Sequence, residues 1–280
     1  MSHLKICLSI AGLDPSGGAG TIADIKTFSA FGCFATAAIT SLTFQNTVGV
    51  FGAAHQSAET VRDQVRPILN DFEVSAVKTG MLPTAGIIET VGSLIRENGL
   101  KNIVVDPVVR STSGFDLIDN AALQSLIKTL FPLAHVITPN IPEAERISGI
   151  AVSDESDIKA AARHMQSMGA KNVLIKGGHG PNTKSGMRHV ELSTEAKKAK
   201  DYLFSGDDVH IFEADYIETN STHGTGCTLS AAITANLALG NDLIASIDIA
   251  KRFVTEAIRT ASNIGHGHSP INQLIKIEAE

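Results

Sequence analysis

The chain has 280 residues, 43% of them hydrophobic and 19% charged, with a net charge of −6. That length can bury roughly three quarters of the unfolded surface, and a pI near 5.9 argues against nucleic-acid or membrane-surface partners, which select basic patches. Cys7, Cys33 and Cys227 are widely spaced with no C-x-x-C pair. They exclude a disulfide framework or zinc knuckle and suit a reducing, cytoplasmic setting. Residues 1–5 lead straight into a strand-like run, so no signal peptide is expected. Segments 27–58 and 219–241 lack Asp, Glu, Lys and Arg and are long enough to suggest membrane spans. Both are interrupted by glycines and polar residues, so buried internal elements are expected instead.

The elements follow in chain order. A strand is predicted over 6–11, then a Gly-rich turn and a helix over about 19–31. Strands are expected at 35–43 and 48–53, and a helix at 59–72 with Pro67 a kink or boundary. A short strand at 76–79, a helix at 86–97 and a buried strand at 103–106 come next. A helix at 121–130, a strand at 136–138, helices at 143–148 and 157–168, and a strand at 173–176 continue the alternation. Residues 181–200, polar and rich in Lys and Ser, read as an exposed loop. Residues 202–204 and 210–212 form a hairpin around Gly206-Asp207-Asp208, and helices at 226–239 and 243–264 close the chain. Repeated β–α alternation with near-continuous apolar strands implies an α/β fold, a mostly parallel sheet with helices on both faces. No linker or internal repeat is evident, so residues 1–280 are expected to form one domain.

In such sheets a ligand lies beyond the carboxyl ends of the strands, and the chemistry-bearing residues collect there. After the first strand comes Gly12-Leu13-Asp14-Pro15-Ser16-Gly17-Gly18-Ala19-Gly20. It fits G-x-G-x-x-A only formally, since no acidic residue follows between Asp24 and Glu59 to hold a ribose. No P-loop motif occurs anywhere, and the loop reads as backbone that approaches a small ligand or as a tight βα turn. Asp106 at a strand end can orient a hydrated cation or simply cap a turn. Asn140 and Glu143 offer oxygens that suit Mg²⁺, or equally a capping box that needs no metal. Lys176-Gly177-Gly178-His179 places a lysine where it can reach a phosphate. His266-Gly267-His268 reads as a solvated tail rather than a metal pair. Near the end, Gly224-Thr225-Gly226-Cys227 turns into a helix whose first amides can converge on an anion. The same dipole is expected to lower the Cys227 pKa and make it a base or nucleophile; alternatively, the small residues simply let this helix pack closely, with Cys227 a buried apolar filler.

Taken together, these motifs, with Gln45-Asn46-Thr47, Lys78-Thr79-Gly80-Met81-Leu82 and Thr222-His223-Gly224-Thr225-Gly226-Cys227, resemble the ribokinase-like superfamily. Within it, they are similar to the hydroxymethylpyrimidine/phosphomethylpyrimidine kinases of thiamine biosynthesis, from about residue 6 to 272. The resemblance implies ATP and Mg²⁺ as cofactors and two successive phosphorylations of a small-molecule pyrimidine. It implies an anion hole at Gly224, Thr225, Gly226 and Cys227, with Cys227 standing where most superfamily members carry an Asp base. It places Asn140, Glu143 and Lys176 at the nucleotide phosphates and Asp106 with Glu143 at the metal. Gly12, Asp14, Ala19, Thr43, Gln45, Met81 and Val108 would line the pyrimidine pocket, Gln45 reading the ring's amino and nitrogen edge. Sheet-edge homodimers are common among such proteins. This chain departs from the pattern with Thr43 where relatives often carry Val, and with Val109-Arg110 where they carry Met and an apolar residue. Arg110 is a candidate grip on the first phosphate. A pyridoxine or pyridoxal kinase of the same clade is the nearest alternative. A silent ligand sensor is countered by Asn140, Glu143 and Cys227, and a cysteine hydrolase would need a histidine partner for Cys227.

Overall fold

The computed structural model describes residues 4–109, 117–177 and 198–275. Among these, nine strands form one sheet: β1 (Ile6–Leu13), β2 (Phe34–Gln45), β3 (Val50–His55), β4 (Val74–Thr79), β5 (Ile103–Val105), β6 (Val136–Ile137), β7 (Asn172–Lys176), β8 (Lys198–Ser205) and β9 (Asp208–Asp215). Their spatial order is β3-β2-β1-β4-β5-β6-β7-β8-β9. The six strands from β2 across to β7 run parallel, while β3 at one edge and the β8–β9 hairpin at the other pair antiparallel. All parallel strands therefore end on the same side of the sheet.

Eight α-helices accompany the strands among the described residues: α1 (Gly20–Ala30), α2 (Ala58–Asp71), α3 (Ala85–Glu97), α4 (Asn120–Leu130), α5 (Ile141–Ser148), α6 (Glu155–Ser167), α7 (Thr225–Leu239) and α8 (Leu243–Arg259). Alternate side chains of each strand feed opposite faces. In β5, Ile103 and Val105 join a core with Val91, Leu126 and Ile158 of α3, α4 and α6. Val104 points the other way, to Leu229, Ile233 and Phe253 of α7 and α8. Each such buried aliphatic side chain contributes roughly 1.5–3 kcal/mol relative to exposure. α7 is buried along nearly its whole length, and Ala231, Ala235 and Ala238 let it lie close against Cys7 and Ala76 of the sheet. A helix buried on all sides has no use for charge, which accounts for the uncharged run at 219–241. No helix among the described residues is long and apolar enough to cross a membrane.

The structure adjusts several boundaries. α2 continues through Pro67 to Asp71, so that proline neither ends the helix nor marks its boundary. β8 already begins at Lys198, which removes 198–200 from the expected loop; 181–197 lie outside the described residues. α8 stops at Arg259 instead of Ile264. Beyond it, the Ile264 amide donates to Ser269 Oγ, the His268 amide to the Thr47 carbonyl, and Gln273 Nε2 to the Gly18 carbonyl. These bonds draw the chain back across the strand ends, a tertiary preference that helical periodicity does not contain.

Candidate active site

Helix capping separates the site from the rest of the molecule. In six helices a side chain caps the first turn: Ser57, Thr84, Asp119, Asn140, Asp154 and Asp242. α1 and α7 begin at Ala19 and Gly224 with no side-chain cap. The N–H groups of Gly226 and Cys227 in the first turn of α7 have no intrahelical acceptor, and the helix dipole makes that end attractive to an anion. Gly224 sits at φ +85°, and a Cβ there would come within 1.8 Å of the Gly18 carbonyl oxygen. Only glycine allows this turn to press against the β1–α1 loop.

Two groups of side chains flank that turn. On one side, a Cβ on Gly12 would meet Met81 Sδ at 3.1 Å, so the ends of β1 and β4 touch. Thr43 Oγ1 lies 2.9 Å from the Leu13 carbonyl and 3.1 Å from Gln45 Oε1. Asp14 is almost sealed, and its carboxylate knots the loop. Oδ1 accepts from the Ser16 amide and hydroxyl at 2.9 and 2.7 Å, and Oδ2 accepts from the Ala19 amide at 2.9 Å. Oδ2 also lies 2.7 Å from His223 Nε2. Burial works to raise the Asp14 carboxyl, but the contacts with His223 and Ser16 outweigh it and hold the group below its ordinary range. The recorded bonds of Asp14 are therefore all spent on folding this loop. Gly12, Asp14, Ala19, Thr43, Gln45 and Met81 thus form one cluster.

On the other side, Lys176 Nζ lies 3.0 Å from Asp106 Oδ1 and packs against Gly226, where a Cβ would stand 3.2 Å from it. Asp106 also accepts from Thr138 Oγ1 and from Ser230 Oγ of α7. Asn140 caps α5, and Glu143 returns to the Asn140 amide at 2.8 Å and to the Val109 amide at 3.4 Å. The capping box is therefore real, and it fixes Glu143 beside Asp106. Burial pushes the Glu143 carboxyl up to about 7; Lys176 opposes this and Asp106 adds to it. For Asp106 burial acts in the same direction, yet the Lys176 and Lys78 ammonium groups prevail and hold it below the usual carboxylate range. Val108, half-buried, has its amide bonded to the Asp106 carbonyl, so its recorded bond ties it to this second group. Arg110 lies outside the described residues.

Cys227 stands between the two groups, half-buried, with the Gly20 amide directed at its sulfur. Its expected acidification is not found. Burial pushes the thiol up to about 11, and Asp24 and Asp106 add to the rise, while Lys78 and the Gly20 amide pull it down. Desolvation outweighs the helix terminus here.

Sequence reasoning gave Lys78 no role. Its ammonium is fully buried and lies 2.9 Å from both oxygens of Asp24, which also accepts from Ser9 Oγ. The two charges satisfy each other because neither can be buried alone, a pairing across the chain that β4 and α1 do not announce locally. His223 was also left without a position.

Strand-end carboxylates, a lysine beside an uncapped helix and a Gly-rich loop facing it define a small-molecule kinase of the ribokinase-like class. Comparison with known proteins narrows this. A family model described as phosphomethylpyrimidine kinase matches residues 14–272. The hydroxymethylpyrimidine/phosphomethylpyrimidine kinase of Haemophilus influenzae is 43% identical over 273 residues, covering 97% of each chain. The ADP complex of Bacillus subtilis pyridoxal kinase superposes with a TM-score of 0.84 at 36% identity, covering 96% of this chain and 97% of that one. The phosphomethylpyrimidine kinase of Clostridium difficile gives 0.76 at 38% identity, over 91% and 99%. The chain belongs to the phosphomethylpyrimidine kinase family.

Proposed function

We infer that this protein transfers the γ-phosphoryl group of ATP to 4-amino-5-hydroxymethyl-2-methylpyrimidine and then to the resulting monophosphate. The product is the diphosphate used in thiamine biosynthesis. The observation that carries this reading is the turn from Gly224 to Cys227, uncapped and held between the cluster of Gly12, Gln45 and Met81 and the cation of Lys176. Phosphoryl transfer needs in-line placement and neutralisation of spreading charge more than covalent chemistry. The Gly226 and Cys227 amides and Lys176 are placed to receive the terminal phosphate. Thr225 helps form that turn, and Asn140 shapes the nucleotide side by fixing Glu143. Gln45 presents its amide to the ring, Thr43 and Ala19 bound the ring's rim, and Val108 contributes an apolar wall.

Cys227 accepts the hydroxymethyl proton. A thiol held at about 11 is on the order of one part in ten thousand thiolate at pH 7, so it is this small thiolate fraction that takes the proton, late in a loose transition state. Asp106 and Glu143 offer hard oxygens, and their proximity raises Glu143, a repulsion that a divalent cation would relieve. Among the described residues no group of three or more His, Cys, Asp or Glu could hold a metal. Two carboxylates completed by water and phosphate oxygens are a donor set that suits Mg²⁺. Mg²⁺, when bound, would screen charge on the transferring phosphoryl group.

The protein would work in the cytoplasm, consistent with its free cysteines, and as a homodimer. Support for the dimer comes from the β2–β3 edge, where Phe44, Val48 and Phe51 are all more than half exposed. One coupled assay of ADP release tests the function, with hydroxymethylpyrimidine, its monophosphate and pyridoxal as acceptors. The expected preference is for the two pyrimidines. Turnover of pyridoxal alone would replace this reading with the one suggested by the Bacillus subtilis pyridoxal kinase.

A further inference from the structure

The β1–α1 loop and the turn that opens α7 are separated by about two hundred residues of chain, yet one contact between side chains ties them. His223 Nε2 lies 2.7 Å from Asp14 Oδ2, and both side chains are more than nine-tenths buried. The same nitrogen lies 3.4 Å from Gln45 Nε2. A ring nitrogen this close to a carboxylate oxygen must carry the proton, so Nε2 is a donor to Asp14. It therefore has no lone pair with which to accept from the Gln45 amide. Packing leaves the imidazole little alternative. A Cβ on Gly18 would fall 2.4 Å from His223 Cδ2, and the His223 amide and carbonyl are bonded to Ser269 and Ile271. The residue after His223 is Gly224, where the anion-binding turn starts.

We propose that His223 is a positioning residue for the transfer: its bond to Asp14 sets the distance between the ring-binding loop and the phosphate-binding turn. The inference rests on the pyrimidine kinase reading and adds to it a residue that touches neither phosphate nor metal. Its effect falls on the acceptor. A shift of the ring relative to the phosphate by a fraction of an ångström weakens in-line attack, while nucleotide contacts at Lys176, Asn140 and Glu143 lie on other elements.

The test compares His223→Leu, which keeps bulk without the donor, with His223→Gln, whose Nε2 can occupy the place of the imidazole nitrogen. Both are assayed with ATP and hydroxymethylpyrimidine beside the wild type. Loss of a buried charge-assisted hydrogen bond predicts a fall of about 10- to 100-fold in kcat/KM for the pyrimidine in the leucine variant. The KM for ATP should stay within roughly twofold, since the nucleotide contacts of Lys176, Asn140 and Glu143 are not altered. The glutamine variant should recover most of the loss. Equal loss in both variants, or a matching rise in KM for ATP, would assign His223 to loop packing and overturn the proposal. If the leucine variant is too unstable to assay, Asp14→Asn weakens the same bond from its other end, and unchanged kcat/KM there would overturn it equally. A wild type that releases no ADP with the pyrimidine would instead remove the functional reading, and this inference with it.

Discussion

The lysine–aspartate pairs Lys78–Asp24 and Lys176–Asp106 differ in what surrounds them. Lys78 and Asp24 are both at 0% exposure, and the ammonium engages both carboxylate oxygens. Lys176 and Asp106 lie at the strand ends, at 12% and 3%, and share only Oδ1, with Glu143 raised to about 7 beside them. The first pair is closed: burial works against the lysine's charge, Asp24 more than restores it, and no ligand can reach either. The second is unfinished. Its charges are held by neighbours that a phosphate or a cation can replace. A complete pair in a parallel sheet supports structure, and an incomplete one at the sheet's carboxyl edge is where the proposed transfer would draw its charge.

The largest effect expected from breaking this contrast is on stability. Lys78→Met leaves Asp24 buried without a countercharge and should cost about 3–5 kcal/mol in denaturant unfolding, whereas adding Asp24→Leu should recover most of that. Lys176→Met should act on function instead. Loss of a phosphate-facing cation should lower kcat/KM for ATP by about 10²-fold, with a smaller loss of stability because water reaches the strand ends. Similar unfolding costs for the two lysines would erase the distinction between the pairs. The smallest effect is on pH dependence. With the Glu143 carboxyl pushed up to about 7, kcat/KM for ATP should rise by roughly fivefold from pH 6 to pH 7 as the carboxylate forms. In Glu143→Gln that step should vanish.

Much of this was legible in the sequence, because strand ends in α/β proteins are predictable from apolar runs and the motifs follow them. Asp106, Asn140, Lys176 and the turn at Gly224 lie where the alternation predicts. The capping box of Asn140 and Glu143 was readable as local geometry, and the structure adds what the box is for: it steers a carboxylate toward Asp106. Pairings across the chain were hidden. Lys78 finds Asp24 and His223 finds Asp14 through tertiary packing, which no periodicity encodes. The direction of the Cys227 shift was misjudged for a related reason. A helix terminus is visible in sequence, but the depth at which it is buried is not. The end of α8 was missed because hydrogen bonds to Thr47 and Gly18 outweigh helix propensity there.

The account depends most on Cys227 as the group that takes the acceptor's proton beside the amides of its own turn. The direct measurement is single-turnover phosphorylation of hydroxymethylpyrimidine by Cys227→Ala, with ATP affinity measured in parallel. The predicted result is a rate lower by about 10²–10⁴-fold with ATP affinity little changed. A rate within about threefold of wild type, well short of a general base's contribution, would contradict it.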